Sequence, residues 1–311
     1  SDPRPEAHRR LNTVPSLLSR LAPLVITLRG SKRGFSTAQR TLDDVARLQR
    51  HPKSSTPPAR LSSKVDITRR DVQGWPVHYV SPKGRRPTTR AIFLHGGCYV
   101  YEIDPVHWAF IAKLAVEAGV RVTVPIMPLA PDGTASVVVP GVTEIAATVV
   151  ERAGAELTSI LGDSSGGGMA FAVAMQLRDR GVAPLRSIVL IAPWLDVSGT
   201  DPRLAELEPS DPWLAVAGTH AAGALYRAEL AEDDVLVSPI HGSLAGLGPI
   251  TMFSGTRDIL NADAHRLVAL AASASHPLDF HEGQGMIHNY PILPMPEGDA
   301  ARRLIVEAVS R

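Results

Sequence analysis

The chain has 311 residues, 44% of them hydrophobic and 20% charged, with a formal net charge of +1. That composition describes a soluble globular protein, and no apolar run reaches the ~18 residues that a membrane-spanning helix needs. The single cysteine, Cys98, excludes an intramolecular disulfide and fits a reducing, cytoplasmic setting. Charge is uneven: residues 1–90 hold 19 Lys and Arg against 6 Asp and Glu, a net of +13, and the remainder holds 13 against 25, a net of −12. No aromatic residues interleave with the basic ones, so the basic third reads as a solvated surface and not as a nucleic-acid interface.

In chain order, residues 1–10 carry two prolines and no apolar pattern, and read as a disordered lead. Leu17, Leu18, Leu21, Leu24, Val25 and Leu28 then recur at helical spacing. Arg20 interrupts that stripe, Pro15 and Pro23 restrict it, and no small-residue cleavage site comes after it, which argues against a signal peptide. A second helix is expected over residues 37–49, and a proline-rich linker over 51–60. Strands are expected at 65–67, 77–80, 91–94, 120–126, 158–161, 187–192, 249–254 and 277–281. Helices of about a dozen residues fall between most of them, at 106–118, 137–152, 170–177 and 261–273, with a last one at 297–309. That alternation predicts an α/β fold with a mostly parallel sheet covered on both faces.

Residues 198–236 break the alternation, with helical pieces but no strand. They read as an inserted lid, which joins residues 11–50 in a helical cap over the site. The expected organisation is therefore a cap segment and linker over residues 1–60, and a catalytic domain over 61–311 with its cap insertion at about 198–236.

The most informative stretch is Gly162-Asp163-Ser164-Ser165-Gly166, lying between an apolar run and a helix-forming one. Gly-x-Ser-x-Gly in a strand–turn–helix setting is the pattern of a nucleophile elbow, where a strained turn lifts the serine hydroxyl above the sheet. A phosphate loop wants Lys-Ser or Lys-Thr after its glycines, and here Gly168-Met169 take that place. A Rossmann fingerprint would open the first helix of the chain, whereas this motif is central. His95-Gly96-Gly97-Cys98 comes directly after the strand at 91–94, and its glycines suit an oxyanion hole built from backbone N–H groups. Gly96 and Gly97 are the expected donors with Ser165; Cys98 can add its N–H, and its thiol reads as a small filler. Asp258 and Asp196 both lie just after strands, and the order Ser…Asp…His suits either as the acid. Of eleven histidines, His288 is the candidate base by its last place in that order. His281, within the alternating LDFHE segment, reads as a sheet-edge histidine, and His107 has no comparable context.

Together HGGCY, GDSSGG, SGTRDIL and GMIHNYP resemble the hormone-sensitive lipase-like α/β-hydrolases, a family of esterases and lipases, over residues 91–311. The resemblance implies Ser164 as nucleophile, Asp258 as acid, His288 as base, and the loop from His95 to Gly97 as oxyanion hole. It further implies hydrolysis of a small-molecule carboxylic ester through an acyl-enzyme, with no cofactor and no metal. Cys98 at the third glycine and Ser165 for the usual alanine depart from the pattern but keep the backbone donors. Two readings stand beside it: a lactone or amide hydrolase on the same triad, and a ligand-binding protein such as the plant gibberellin receptors, which resemble this family but lack the histidine. Leu17, Leu21, Trp213, Leu214 and Tyr226 are expected to narrow the pocket toward short and medium acyl chains. The leucine stripe is expected to pack on the inserted segment; the alternative lays it on a membrane as a peripheral contact.

Overall fold

The computed structural model describes residues 9–11, 16–28 and 31–310. Among them, two strands close by a hairpin: β2 (Val65–Val72) and β3 (Trp75–Pro82) pair antiparallel across Gln73-Gly74, both at positive φ. Then β4 (Arg90–Leu94), β5 (Arg121–Pro125), β6 (Thr158–Asp163), β7 (Ser187–Ile191), β8 (Ile250–Arg257) and β9 (Leu278–Ile287) run parallel, separated by helices. With β1 (Arg9–Leu11), the sheet order is β1-β9-β8-β7-β6-β4-β5-β3-β2. The central strands are buried on both faces, which is why they read as unbroken apolar runs.

The pleat divides their side chains between two cores. Ile92, Leu94, Ile188 and Leu190 point to one face, while Ala91, Phe93, Val189 and Ile191 point to the other. The first core lies under α5 (Ala135–Ala153), α6 (Ser165–Asp179) and α9 (Asn261–Ser273). The second lies under α4 (Pro105–Ala118) and α10 (Pro296–Ser310). Further helices cluster over the carboxyl ends of the strands or beside them. The first residues supply α1 (Leu17–Leu28), α2 (Ser31–Phe35) and α3 (Ala38–Arg50). The insertion supplies α7 (Arg203–Leu207) and α8 (Val216–Arg227), and α2 and α3 pack on α8.

Several expectations need correction. Arg9–Leu11 is not unpatterned lead but a strand, pairing in parallel register with His281, Glu282 and Gly283; residues 1–8 lie outside the described residues. Strand β9 continues to Ile287, well past residue 281, because β8 also extends and Arg257 faces Ile287 across a register shift. Gly283 and Gly285 interrupt the strand pattern there, which is why the expected strand stops at residue 281. The short helix α2 was not anticipated, while the stripe expected to be helical from Leu17 to Leu28 is α1. The largest difference concerns α1. Four of its leucines do not pack on the insertion: Leu17, Leu18, Leu21 and Leu24 are 74%, 60%, 46% and 56% exposed.

Candidate active site

Ser164 stands between β6 and α6 at φ 54° and ψ −124°, a conformation that side chains rarely adopt. The flanking glycines permit it. A Cβ on Gly162 would meet Gly166 O at 2.2 Å, and one on Gly166 would meet Leu94 O at 2.1 Å. The elbow is tied to the next strand, Ser164 N–H donating to Ile191 O (2.8 Å) and Trp194 N–H to Ser164 O (2.9 Å). The hydroxyl is thus held on a rigid turn at the N-terminus of α6, where developing negative charge is favoured.

His288 comes directly after β9, and Asp258 directly after β8. Ser164 Oγ–H donates to His288 Nε2 at 3.0 Å, and His288 Nδ1–H donates to Asp258 Oδ2 at 2.8 Å. The other carboxylate oxygen of Asp258 accepts Leu260 N–H at 2.9 Å. Burial opposes charge on His288, but Asp258, and behind it Asp211 and Asp163, outweigh it and lift the imidazole pKa above its ordinary value. Asp211, from the insertion, accepts N–H groups of Trp213, Leu214 and Ile259. Burial and the charge of Asp258 push its own carboxyl up to about 6. The Trp213 ring stands edge-on to His288, centroids 5.8 Å apart.

In the loop from His95 to Cys98, expected to form the oxyanion hole, one N–H is already engaged: Gly96 N–H donates to Asp163 Oδ1 at 3.0 Å. Among the described hydrogen bonds, those of Gly97 and Cys98 have no protein acceptor. His95 donates Nδ1–H to Gly96 O at 2.7 Å and stays neutral, since burial lowers its pKa to about 4. Gly97 lies at φ 127°, and a Cβ there would meet Tyr101 O at 2.4 Å. Gly97→Ala must therefore move the loop, and kcat should fall on the order of 10²-fold, the scale of one lost oxyanion donor. Single-turnover kinetics on p-nitrophenyl butyrate with an unchanged melting curve would check this. The Cys98 thiol is buried, and burial raises its pKa to about 12, so thiolate chemistry is suppressed.

Asp163 is the residue that sequence reasoning passed over. It is fully buried, and besides Gly96 it accepts Asn289 Nδ2–H (2.7 Å) and His107 Nε2–H (3.3 Å) on Oδ2. Burial opposes its charge, yet His107 and the other donors hold its pKa below the usual carboxylate value. His107 loses more to burial than to any other single influence, but Asp163 and Asp104 together raise it to about 10, so it stays protonated. One carboxylate thus joins three partners: Gly96 in the loop after β4, His107 of α4, and Asn289, the residue after His288. The signal available was the Asp104-Pro105-x-His107 capping box that opens α4. Asp196 lies elsewhere, bound to Arg266 (2.6 Å) and Ser198 (2.6 Å). His281 stacks on Phe253. Among the described residues, no group of three or more His, Cys, Asp or Glu is arranged to hold a metal ion.

A cavity of about 430 Å³ opens above Ser164 and His288, walled by Phe35, Tyr101, Trp213, Leu214, Ile292 and Leu293. Leu17 and Leu21 are not part of it, and Tyr226 is buried beneath, stacked 3.5 Å from Tyr99. Residues 91–292 match the family described as alpha/beta hydrolase fold. The chain belongs to that family. Among this hydrolase's relatives is a triacylglycerol lipase of Mycobacterium tuberculosis, 31% identical over 243 residues, which cover 77% of this chain and 51% of that one. The chain thus spans about half the length of that relative. A solved esterase of the bacterial hormone-sensitive lipase family superposes with a TM-score of 0.79 at 24% identity, covering 96% of this chain and 99% of its own. An esterase/lipase from an uncultured bacterium does so at 0.80 with 20% identity, covering 94% and 97%. No helix among the described residues is long and apolar enough to cross a membrane.

Proposed function

We propose that this α/β-hydrolase is a serine carboxylesterase acting on short- to medium-chain carboxylic esters. The observation that carries the reading is the hydrogen-bonded line from Ser164 through His288 to Asp258 at the foot of the cavity. In the proposed reaction, His288 Nε2 takes the Ser164 proton as Oγ attacks the ester carbonyl, and Asp258 holds the imidazole tautomer and balances its charge. The N–H groups of Gly97, Cys98 and Ser165 would receive the oxyanion, with Gly96 holding the loop against Asp163. Collapse passes the proton from His288 to the leaving alkoxide. Water, deprotonated by His288, then attacks the acyl-enzyme and regenerates Ser164.

The cap of this reading comprises the helices before residue 60 and the insertion at 198–236, because Phe35, Trp213 and Leu214 wall the cavity from both. About 430 Å³ is near the small end of small-molecule sites, which supports short acyl groups. A p-nitrophenyl ester series from acetyl to palmitoyl tests the proposal. A burst of nitrophenol and then steady turnover is expected, with kcat/KM highest at about four to eight acyl carbons, by roughly tenfold over palmitoyl. Palmitoyl as the better substrate at matched solubility would refute the chain-length claim. Binding without turnover of any ester, lactone or amide would refute the enzyme.

A further inference from the structure

Helix α1 is docked with its apolar face outward. At about 100° per residue, Ser19, Pro23 and Ile26 share one side of the helix, and Leu17, Leu21 and Leu24 lie roughly opposite, with Leu18 beside them. The first side is the docked one. Ser19 and Pro23 are buried, and the Glu297 carboxylate at the start of α10 accepts Ser16 N–H (2.5 Å), Ser16 Oγ–H (3.0 Å) and Ser19 Oγ–H (3.0 Å). Those bonds fix the rotation of the helix, and with it the outward stripe. Four exposed leucines on one short helix are an unusual apolar surface for a protein in water.

The charge along this stretch of sequence says what would cover them. Between Ala7 and Leu42 the sequence has Arg9, Arg10, Arg20, Arg29, Lys32, Arg33 and Arg40, and no Asp or Glu. Lys32 is committed, its Nζ donating to the carbonyls of Glu208 and Asp211. Arg20, on the helix beside Leu24, and Arg33, in α2, are exposed. An apolar stripe with a flank of one charge sign is the surface of an interfacial helix that favours anionic lipid. The stripe is also near the catalytic cavity. Helix α1 packs on α2, and Gly34 and Phe35 of α2 line the cavity wall.

We infer that the outward leucines of α1, with Arg20 and Arg33, dock the protein on an anionic lipid surface, placing the cavity mouth where amphipathic esters are concentrated. Only the link to substrate supply rests on the esterase reading; the docking does not. The experiment is co-sedimentation of the full chain with phosphatidylcholine vesicles, with and without phosphatidylglycerol. The wild-type protein should partition to the anionic vesicles on the order of tenfold more strongly than to the neutral ones, an advantage that high salt removes. Leu21→Ser/Leu24→Ser should lower partitioning on the order of tenfold, and Arg20→Gln/Arg33→Gln should abolish the anionic preference. Both should turn over p-nitrophenyl butyrate like wild type, which verifies their folding. Ser164→Ala should sediment like wild type, so failure of the esterase reading leaves this result standing. Absence of wild-type binding to either vesicle, or leucine variants that bind unchanged, would overturn the inference. So would a wild-type dimer that ignores vesicles and becomes monomeric in the leucine variant, which would make the stripe a self-association face.

Discussion

Ser164→Ala should lower kcat for p-nitrophenyl butyrate by on the order of 10⁵-fold while leaving thermal unfolding nearly unchanged. The hydroxyl is the attacking atom of the proposed mechanism, and no neighbouring group can replace it. The Cys98 thiol is held protonated by burial, and Ser165 Oγ accepts Tyr99 N–H at 3.2 Å, away from His288. The fold should tolerate the change because alanine removes one oxygen and keeps the Cβ. The strain of the turn is backbone strain, held by the bonds of Ser164 to Ile191 and Trp194, which do not involve the side chain. Residual turnover should come from the oxyanion N–H groups alone. Ordinary activity in a preparation free of contaminating esterase would show that Ser164 is not the nucleophile.

The central sheet is legible in the sequence because each buried strand is encoded locally, whereas the acid is not: Asp258 and Asp196 both come after strands, and only the family resemblance separates them. An apolar run marks each buried strand, and the residue just past its end lies at the carboxyl edge of the sheet. Ser164, Asp258 and His288 all occupy such positions. Orientation, by contrast, is not encoded locally. Gly96 and Gly97 look alike in the sequence, yet only the fold turns one N–H toward Asp163 and leaves the other free of a protein acceptor. Asp163 sits inside the motif at a position open to any residue, so nothing local marks the three-way contact that it makes. Asp211 is hidden similarly, in an insertion without strands, although it reaches Ile259 beside the candidate acid. The leucine stripe of α1 correctly predicts a helix and says nothing of which side docks. That choice is made by Glu297, 281 residues from its partner Ser16.

Asp258→Asn should be nearly as damaging as loss of the nucleophile, with kcat/KM falling on the order of 10⁴-fold, the scale seen when the acid of a serine-protease triad is neutralised. The geometry says how. Leu260 N–H points at Oδ1, so the amide oxygen of an asparagine would keep that place and its NH2 would face His288. The amide then donates to Nδ1, the imidazole proton moves to Nε2, and Nε2 can no longer accept from Ser164. The pH profile gives a second readout. Activity needs neutral His288, so in the wild type kcat/KM should be lost as pH falls through a value above 6.5, the side to which Asp258 shifts it. In the variant that support is gone while burial remains, and the acid limb should move down. Asp196→Asn is the control, because Asp196 also lies just after a strand but is engaged with Arg266 and Ser198. It should cost about 1–3 kcal/mol of stability through its weakened bonds and leave the shape of the pH profile intact. A silent Asp258→Asn beside a catalytically dead Asp196→Asn would mean that the acid had been assigned to the wrong strand.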